Sequence, residues 1–171
     1  MSNMLTKSTI DADSFKPFGS LISIGNERRK FSINDGYCER FDEISIVEIE
    51  DEKAKPIISI FSAIPRKRPI KIDYLEMHPL GSQTFLPIHK TDWLIIVASD
   101  QGGVPDISST RCFKVKGNQG ITYKPYTWHF PLLVDLEQDF WVIDRSSKND
   151  QSKENLKEYF FRKEDEELYL D

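Results

Sequence analysis

The sequence predicts an all-β domain, a sandwich or barrel of short strands, and two observations carry that prediction. The first is composition, since 19 Ile, 11 Phe and 6 Tyr accompany only 4 Ala in 171 residues. Ile, Phe and Tyr suit a pleated surface, whereas helical proteins normally use far more Ala. An AT-rich genome also inflates Ile and depletes Ala, so composition by itself only favours β structure.

The second observation is a series of short apolar runs, most of them bounded by Pro, Gly, Asp or Asn. Such runs at even spacing are typical of the strands of a β-sandwich or barrel. The predicted strands are 20–24, 44–49, 57–61, 70–77, 84–88, 93–99, 111–115, 120–123, 132–135 and 140–144.

A short helix is predicted near the start of the chain, over residues 12–17. Asp11 is a suitable N-cap for it, and the Pro and Gly that follow end it. The stretch 26–43 is polar and rich in turn residues, so it is predicted to be an irregular loop.

From about Ser146 the chain becomes highly charged. Leu156, Tyr159 and Phe160 follow one another at helical spacing in this region. We interpret it as one or two amphipathic helical turns followed by a solvated acidic tail, not as a second domain. The whole of 1–171 is therefore predicted to be a single domain, as its length also favours.

Charge and cysteine usage exclude several classes of partner. The formal net charge is −5, which disfavours nucleic acid because phosphate binding needs a basic face. No window approaches the roughly 18 apolar residues of a membrane-spanning helix. Cys38 and Cys112 lie far apart without metal-binding spacing, which favours two ordinary thiols and a cytoplasmic location.

Two strand–turn–strand units carry the candidate chemistry. Glu76 and His78 are two residues apart in a predicted strand and so project from one face. A turn at 79–82 follows, and Gln83 begins the returning strand; His129 ends the second unit. A carboxylate, an amide and two imidazoles facing one cavity can act as acid–base groups or bind a divalent metal.

A structural role is the alternative for these residues. Buried histidines are often hydrogen-bonded core residues, so His78 and His129 could serve packing alone. His89, at a turn between strands, is expected to be merely solvated. Trp93 and Trp141 lie in apolar runs and are predicted to be core residues.

The spacing of these groups resembles a known fold family. Glu-x-His-x4-Gln followed by the later His129 is similar to a degenerate cupin, with Glu76 in place of a His and Gln83 in place of an acid. Longer stretches resemble the ureidoglycolate lyase family, and LEMHPLGSQTF and WHFPL within them are distinctive. These stretches are 31–41, 75–87, 104–132 and 139–145.

The resemblance implies a small cupin barrel, usually a homodimer, that acts in allantoin catabolism. It implies cleavage of ureidoglycolate to glyoxylate and urea. Some members of the family are described with a divalent metal, nickel included, and others without one. If a metal such as Ni or Zn binds here, the ligand set is expected to be Glu76, His78, Gln83 and His129.

The implied reaction assigns roles to the candidate residues. Elimination needs a base for the hydroxyl proton and an acid for the departing nitrogen, but no covalent nucleophile. Glu76, His78 and His129 are the predicted catalytic groups, and the sequence leaves open which is base and which is acid. Gln83 is predicted to orient the substrate through its amide.

Four further residues are predicted to contact the substrate. Arg40 and Arg145 lie in family-like stretches, and an Arg fork suits the substrate carboxylate. Arg145 could instead form a structural ion pair with its neighbour Asp144. Asn34 could cover the mouth of the pocket or belong to a dimer interface, and Trp128 could line the pocket beside His129.

Two other functions remain open from the sequence. One is a ureidoglycolate amidohydrolase that releases ammonia, which normally requires a metal-activated water. The other is a degenerate cupin that binds small molecules or regulates without catalysis.

Overall fold

The computed structural model describes residues 3–50, 52, 54–146, 152–162 and 165–171. Short strands dominate, together with one α-helix and two 3-10 turns. The elements are β1 (Asn3–Met4), β2 (Lys7–Thr9), α1 (Ala12–Phe15), β3 (Gly19–Ile22), β4 (Arg29–Ile33), the 3-10 turn Asn34–Gly36, β5 (Cys38–Asp42), β6 (Pro56–Ala63), β7 (Ile70–Ile72), β8 (Tyr74–Met77), β9 (Gln83–Pro87), β10 (Trp93–Asp100), β11 (Pro105–Val115), β12 (Gly120–Tyr123), β13 (Trp128–His129), β14 (Leu133–Val134), β15 (Gln138–Arg145), the 3-10 turn Ser152–Asn155, β16 (Lys157–Phe160) and β17 (Leu168–Leu170).

Two sheets pack face to face. The first has the order β16-β8-β13-β10-β11-β2, with β14 also paired to β10, and the second has the order β3-β12-β9-β15-β6. A third sheet, β1-β17-β7, and a separate hairpin, β4-β5, complete the described strands. The predicted all-β class is confirmed, and of the two predicted architectures the described strands form the sandwich, since no pairing closes them into a barrel.

The core is divided between the two faces of the first sheet. One apolar cluster joins both sheets of the sandwich and includes Phe85, Trp93 and Phe140. The other lies on the opposite face of the first sheet and includes Leu75, Met77, Trp128 and Leu170, the last from the third sheet. Successive strand residues point to opposite faces, so the first sheet supplies side chains to both clusters. Trp93 is fully buried, as predicted.

The predicted N-terminal helix is confirmed, although it ends at Phe15. Asp11 caps it, because Oδ1 accepts a hydrogen bond of 2.9 Å from the Ser14 backbone N–H. Phe15 is fully buried and meets Phe113 edge to face, which anchors the helix against the sandwich.

Two sequence predictions about the region before β6 are wrong. The stretch 26–43 is not an irregular loop, because β4 and β5 form a regular hairpin there. Both faces of this hairpin are largely exposed, so its strands lack the apolar alternation that reveals a half-buried strand. The run 44–49 is not a strand, since it makes only an isolated bridge between Ile49 and Gly81.

The C-terminal region also differs from its prediction. A helical turn is present at Ser152–Asn155, but a solvated tail does not follow it. Instead β16 pairs with β8, and β17 pairs with β7 and β1. Leu168 and Leu170 are buried, so this segment completes the core. The parts of the predicted tail at 147–151 and 163–164 lie outside the described residues.

The predicted strand 70–77 is divided between two sheets. β7 belongs to the third sheet and β8 to the first, so only β8 carries candidate site residues. Within the described residues, no helix has both the length and the apolar character needed to cross a membrane.

Candidate active site

Strands β8 and β13 bring the predicted acid–base groups together. Glu76 and His129 are directly opposite in the antiparallel register, so their side chains share one face of the first sheet. Glu76 Oε1 lies 3.6 Å from His129 Nε2, and the rings of His78 and His129 have centroids 5.3 Å apart. One ligand atom from each of the three side chains lies within 4.8 Å of the others.

The hydrogen bonds of the two imidazoles fix which nitrogen carries the proton. His129 Nδ1–H donates to the Thr127 carbonyl at 2.8 Å, and His78 Nδ1–H donates to the Asn155 carbonyl at 2.7 Å. A carbonyl can only accept, so in the neutral rings each Nε2 keeps its lone pair. Both Nε2 atoms are buried, and neither has a hydrogen-bond partner among the described residues.

Burial keeps the imidazoles neutral. Burial, with a smaller contribution from the neighbouring His78, lowers the pKa of His129 to about 3. Tyr123 stacks on the His129 ring with 4.2 Å between centroids and an interplanar angle of 16°, which excludes water from one ring face. Burial also lowers the pKa of His78, against the hydrogen bond to Asn155.

Glu76 is the group of this cluster that titrates near neutrality. Burial and, to a lesser extent, repulsion by Glu158 raise its pKa to about 7, against the opposing positive charge of Arg66. Glu158 lies directly opposite Glu76 on the adjacent strand β16. A carboxyl group with this pKa can both take and return a proton at physiological pH.

Two adjoining cavities meet at this cluster. The first, of about 590 Å³, is lined by Glu76, Gln83 and His129 and reaches Arg66. The second, of about 350 Å³, is also lined by Glu76 and Gln83 and reaches Asp144. His78 lines the second cavity, so each cavity presents one imidazole beside the shared carboxylate.

The structure places two of the other predicted residues in the second cavity. Gln83 stands between the cavities, and its Nε2–H donates a long hydrogen bond of 3.5 Å to Asp144 Oδ2. Arg145 is fully buried and also lines the second cavity, where its Nη2 lies 3.4 Å from Glu154 Oε1.

Trp128 does not face the same side as His129. Neighbouring residues of a strand point to opposite faces, so Trp128 joins the second apolar cluster. Its Nε1–H donates to Asp100 Oδ1 at 2.8 Å, and it is absent from the described lining of both cavities.

Arg40 and Asn34 lie in the exposed β4-β5 hairpin. Arg40 Nε–H donates to Asp42 Oδ1 at 2.8 Å, and its guanidinium lies over Phe31. Neither Arg40 nor Asn34 is among the described residues that line the two cavities. Their contact with substrate stays a prediction.

Three cavity residues were missed by the sequence reasoning. Arg66 follows β6 in a short basic run, and such a run directly after a strand is a signal that could have found it. From the sequence, Asp144 is predicted only as an ion-pair partner, although strand alternation places it on the inner face with Val142. Asn155 carries no sequence signal, because a tertiary contact alone brings its carbonyl to His78.

Comparison with known proteins identifies the family. The family model described as ureidoglycolate lyase matches residues 2–166. The chain belongs to the ureidoglycolate lyase family. A ureidoglycolate lyase of Pseudomonas fluorescens (strain Pf0-1) is 40% identical over 167 residues, covering 97% of this chain and 96% of the relative. Ureidoglycolate lyase 1 of Rhizobium meliloti is 38% identical (94% and 91% coverage), and a ureidoglycolate lyase of Brucella anthropi is 37% identical (87% and 85%).

The donor set of this ureidoglycolate lyase family member fits a divalent metal. One ligand atom from each imidazole and one carboxylate oxygen lie within 4.8 Å of one another, and each imidazole donates its Nδ1–H to a carbonyl, an arrangement that leaves Nε2 free to bind a metal. Gln83 adds an amide beside them, which is a weak ligand for a transition metal.

Proposed function

We propose that the protein is a carbon–nitrogen lyase that cleaves ureidoglycolate to glyoxylate and urea. The observation that carries the proposal is the convergence of Glu76, His78 and His129 at the wall shared by two cavities. The names of the relatives support the same substrate.

The reaction moves one proton from oxygen to nitrogen. One carbon of ureidoglycolate carries a hydroxyl, a carboxylate and the ureido nitrogen. A base takes the hydroxyl proton, the O–H electron pair becomes the second bond of the aldehyde carbonyl, and the C–N bond breaks toward nitrogen. The nitrogen takes a proton and leaves as urea. A single group that accepts the first proton and returns it therefore balances the reaction.

We assign this proton transfer to Glu76. Its carboxylate faces both cavities, so a substrate lying across the shared wall places the reacting carbon next to it. His78 and His129 present unprotonated Nε2 atoms from either side, where they can accept hydrogen bonds from the substrate hydroxyl or ureido N–H. Gln83 both donates and accepts, and we assign it to orienting the substrate.

Arg66 is the proposed partner of the substrate carboxylate. It is the one Arg or Lys among the described residues that line the first cavity, and its guanidinium lies 4.9 Å from the centroid of the Phe130 ring. The predicted alternative, Arg145, would place the carboxylate in the second cavity next to the negative charge of Asp144. The guanidinium group of Arg66 can bind a carboxylate through two N–H donors, and the first cavity lacks the repulsion by Asp144.

We propose that a divalent metal such as Ni²⁺ or Zn²⁺, where it binds, is held by Glu76, His78 and His129. When bound, it would supply Lewis-acid polarisation of a substrate oxygen. The remaining residues would still orient the substrate and exclude water from the cavity.

Product analysis separates this function from its two alternatives. Purified protein given racemic ureidoglycolate is expected to release urea and glyoxylate in equal amounts, above the spontaneous rate measured without protein. Release of ammonia without urea would establish the amidohydrolase instead. Saturable binding of ureidoglycolate with no product above background would establish a non-catalytic binding module.

We also propose that the protein is a homodimer that uses the outer face of β6 and β15. β6 is the edge strand of its sheet, and Ile60 lies directly opposite Trp141 on it. Ile58, Ile60 and Trp141 are 70%, 54% and 45% exposed, so Trp141 is not the core residue that the sequence predicted. Contiguous exposed apolar side chains of this kind are typical of association surfaces.

Charged substitutions on this face are expected to separate the copies. The double variant Ile60→Asp, Trp141→Glu should elute as a monomer in size-exclusion chromatography with light scattering, whereas the unmodified chain should have the mass of a dimer. Ile24→Glu is the matched control, because Ile24 is 72% exposed and lies outside this face. A dimeric double variant would contradict the proposed interface.

A cytoplasmic location is proposed from the cysteines. Cys38 is exposed and Cys112 is buried, and both are free thiols. Free thiols persist in a reducing compartment. Cell fractionation tests this proposal, since the urea-forming activity should accompany cytoplasmic marker enzymes.

A further inference from the structure

The second cavity contains an acceptor that the described protein groups leave largely unused. Asp144 Oδ1 is buried and has no hydrogen-bond partner among the described residues. The other oxygen, Oδ2, receives only the long 3.5 Å bond from Gln83. A buried acceptor without a partner destabilises the folded protein. A ligand that brings N–H donors into this cavity would recover that free energy.

We propose that Asp144 binds the ureido group of the substrate and thereby sets its orientation between the two cavities. This inference rests on the proposed function, because the ureido group belongs to the proposed substrate. That group ends in an amide NH₂, whose N–H can donate a hydrogen bond to a carboxylate oxygen. Asp144 projects from β15 onto the inner face and lines the second cavity with Glu76 and His78.

The charged residues of the two cavities favour one orientation of the bound substrate. The carboxylate of the substrate is attracted to Arg66 in the first cavity, whereas in the second cavity Asp144 repels it and Arg145 is already paired with Glu154. The ureido group has no charge and carries the donors that Asp144 lacks. The carbon that bears the hydroxyl then lies at the shared wall, beside Glu76, and the leaving nitrogen faces His78.

Substitution of Asp144 distinguishes recognition of the ureido group of the substrate from recognition of its carboxylate. Asp144→Asn keeps the shape of the side chain but loses one acceptor oxygen and the charge. The KM for ureidoglycolate is expected to rise about tenfold. Inhibition by glyoxylate, which carries the carboxylate but no ureido group, should stay within about twofold of the unmodified protein. Asp139→Asn is the control, because Asp139 lies on the same strand outside both cavities and bonds to His89.

The opposite orientation gives the opposite result. If the carboxylate occupied the second cavity beside Arg145, removal of the Asp144 charge would strengthen glyoxylate inhibition, and this outcome would overturn the proposal. An unchanged KM in Asp144→Asn would also overturn it. Asp144→Ala should repeat the pattern, and thermal unfolding of both variants verifies that they are folded.

Binding of a stable analogue keeps this test separate from the test of the function. Oxalurate carries a carboxylate and a ureido group but has an amide-type carbonyl in place of the carbinol carbon. Calorimetry is expected to show oxalurate binding weakened about tenfold by Asp144→Asn, whether or not the protein forms urea. Absence of urea formation with this binding pattern would overturn only the lyase function, whereas equal oxalurate affinity in both proteins would overturn the assignment of Asp144.

Discussion

Replacement of Glu76 by glutamine is expected to reduce the rate of urea formation by about 10³-fold, because it removes the group that transfers the proton. Glutamine keeps the shape of the side chain, so the cavities should persist. Steady-state assays should show the loss in kcat and little change in KM. A Glu76→Gln variant with near-normal turnover would contradict the assigned role.

The pH dependence of the metal-free protein provides a second measure of the same residue. Since Glu76 must be ionised to accept a proton, activity should rise with pH through its pKa of about 7. Glu158→Gln removes the repulsion from the neighbouring strand and should move this rise to lower pH. Arg66→Gln removes the stabilising positive charge and should move it to higher pH. Assays in the presence of a chelator across pH 5–9 would test both shifts.

The free energy of unfolding should depend on pH through Glu76 in a way that an ordinary surface carboxylate would not produce. The folded pKa of Glu76 is raised from 4.5 to about 7, so the folded state holds its proton longer than the unfolded state. The stability associated with this proton is present below pH 4.5 and is lost as pH rises through 7. Glu76→Gln should therefore raise the free energy of unfolding by up to about 3 kcal/mol at pH 8 and by little at pH 4.5. Guanidinium denaturation at both pH values measures the difference.

Replacement of His129 by asparagine is the second substitution with a large expected effect. The asparagine amide can still donate to the Thr127 carbonyl, but the Nε2 lone pair next to Glu76 is lost. Turnover is expected to fall by about 10²–10³-fold. His89→Asn is the control, because His89 is exposed and bonds to Asp139 outside the cavities. Near-normal activity in His129→Asn would remove the central assignment of the site.

The same variant tests the proposed metal site without reference to activity. Calorimetric titration of the chelator-treated protein with Ni²⁺ or Zn²⁺ should show one site per chain. Since one of three ligands is removed, affinity is expected to fall by at least about tenfold in His129→Asn. His89→Asn should retain the affinity of the unmodified chain. Equal metal affinity in His129→Asn would exclude this ligand set.

The strands that carry Glu76, His78 and His129 can be predicted from the local alternation of residues in their sequences. Glu76 and His78 are separated by one residue in an alternating run, which fixes their common face before any tertiary contact is known. The same rule predicts that Trp128 and His129 face opposite sides, so local alternation already argued against a shared pocket.

Tertiary contacts determine the structure of the C-terminal region, which local alternation does not predict. The C-terminal region has a helical spacing of apolar residues, yet it forms two strands, of which β16 pairs with the edge of β8 and β17 pairs with β7. Pairing with an available edge outweighs a weak local helical preference. This pairing places Glu158 opposite Glu76 and brings the Asn155 carbonyl to His78. Neither contact can be predicted from the sequence.

The all-β class, the capped N-terminal helix, the family and the grouping of Glu76, His78 and His129 can be predicted from the sequence, because each depends on local periodicity, a local hydrogen bond or a shared motif. The sandwich arrangement of the strands, the meeting of two cavities at Glu76, and the presence of Arg66 in one cavity and Asp144 in the other follow from the three-dimensional structure. Those features depend on which strand edges pair and which faces meet. Burial in the resulting interior then sets the pKa values on which the proposed chemistry depends.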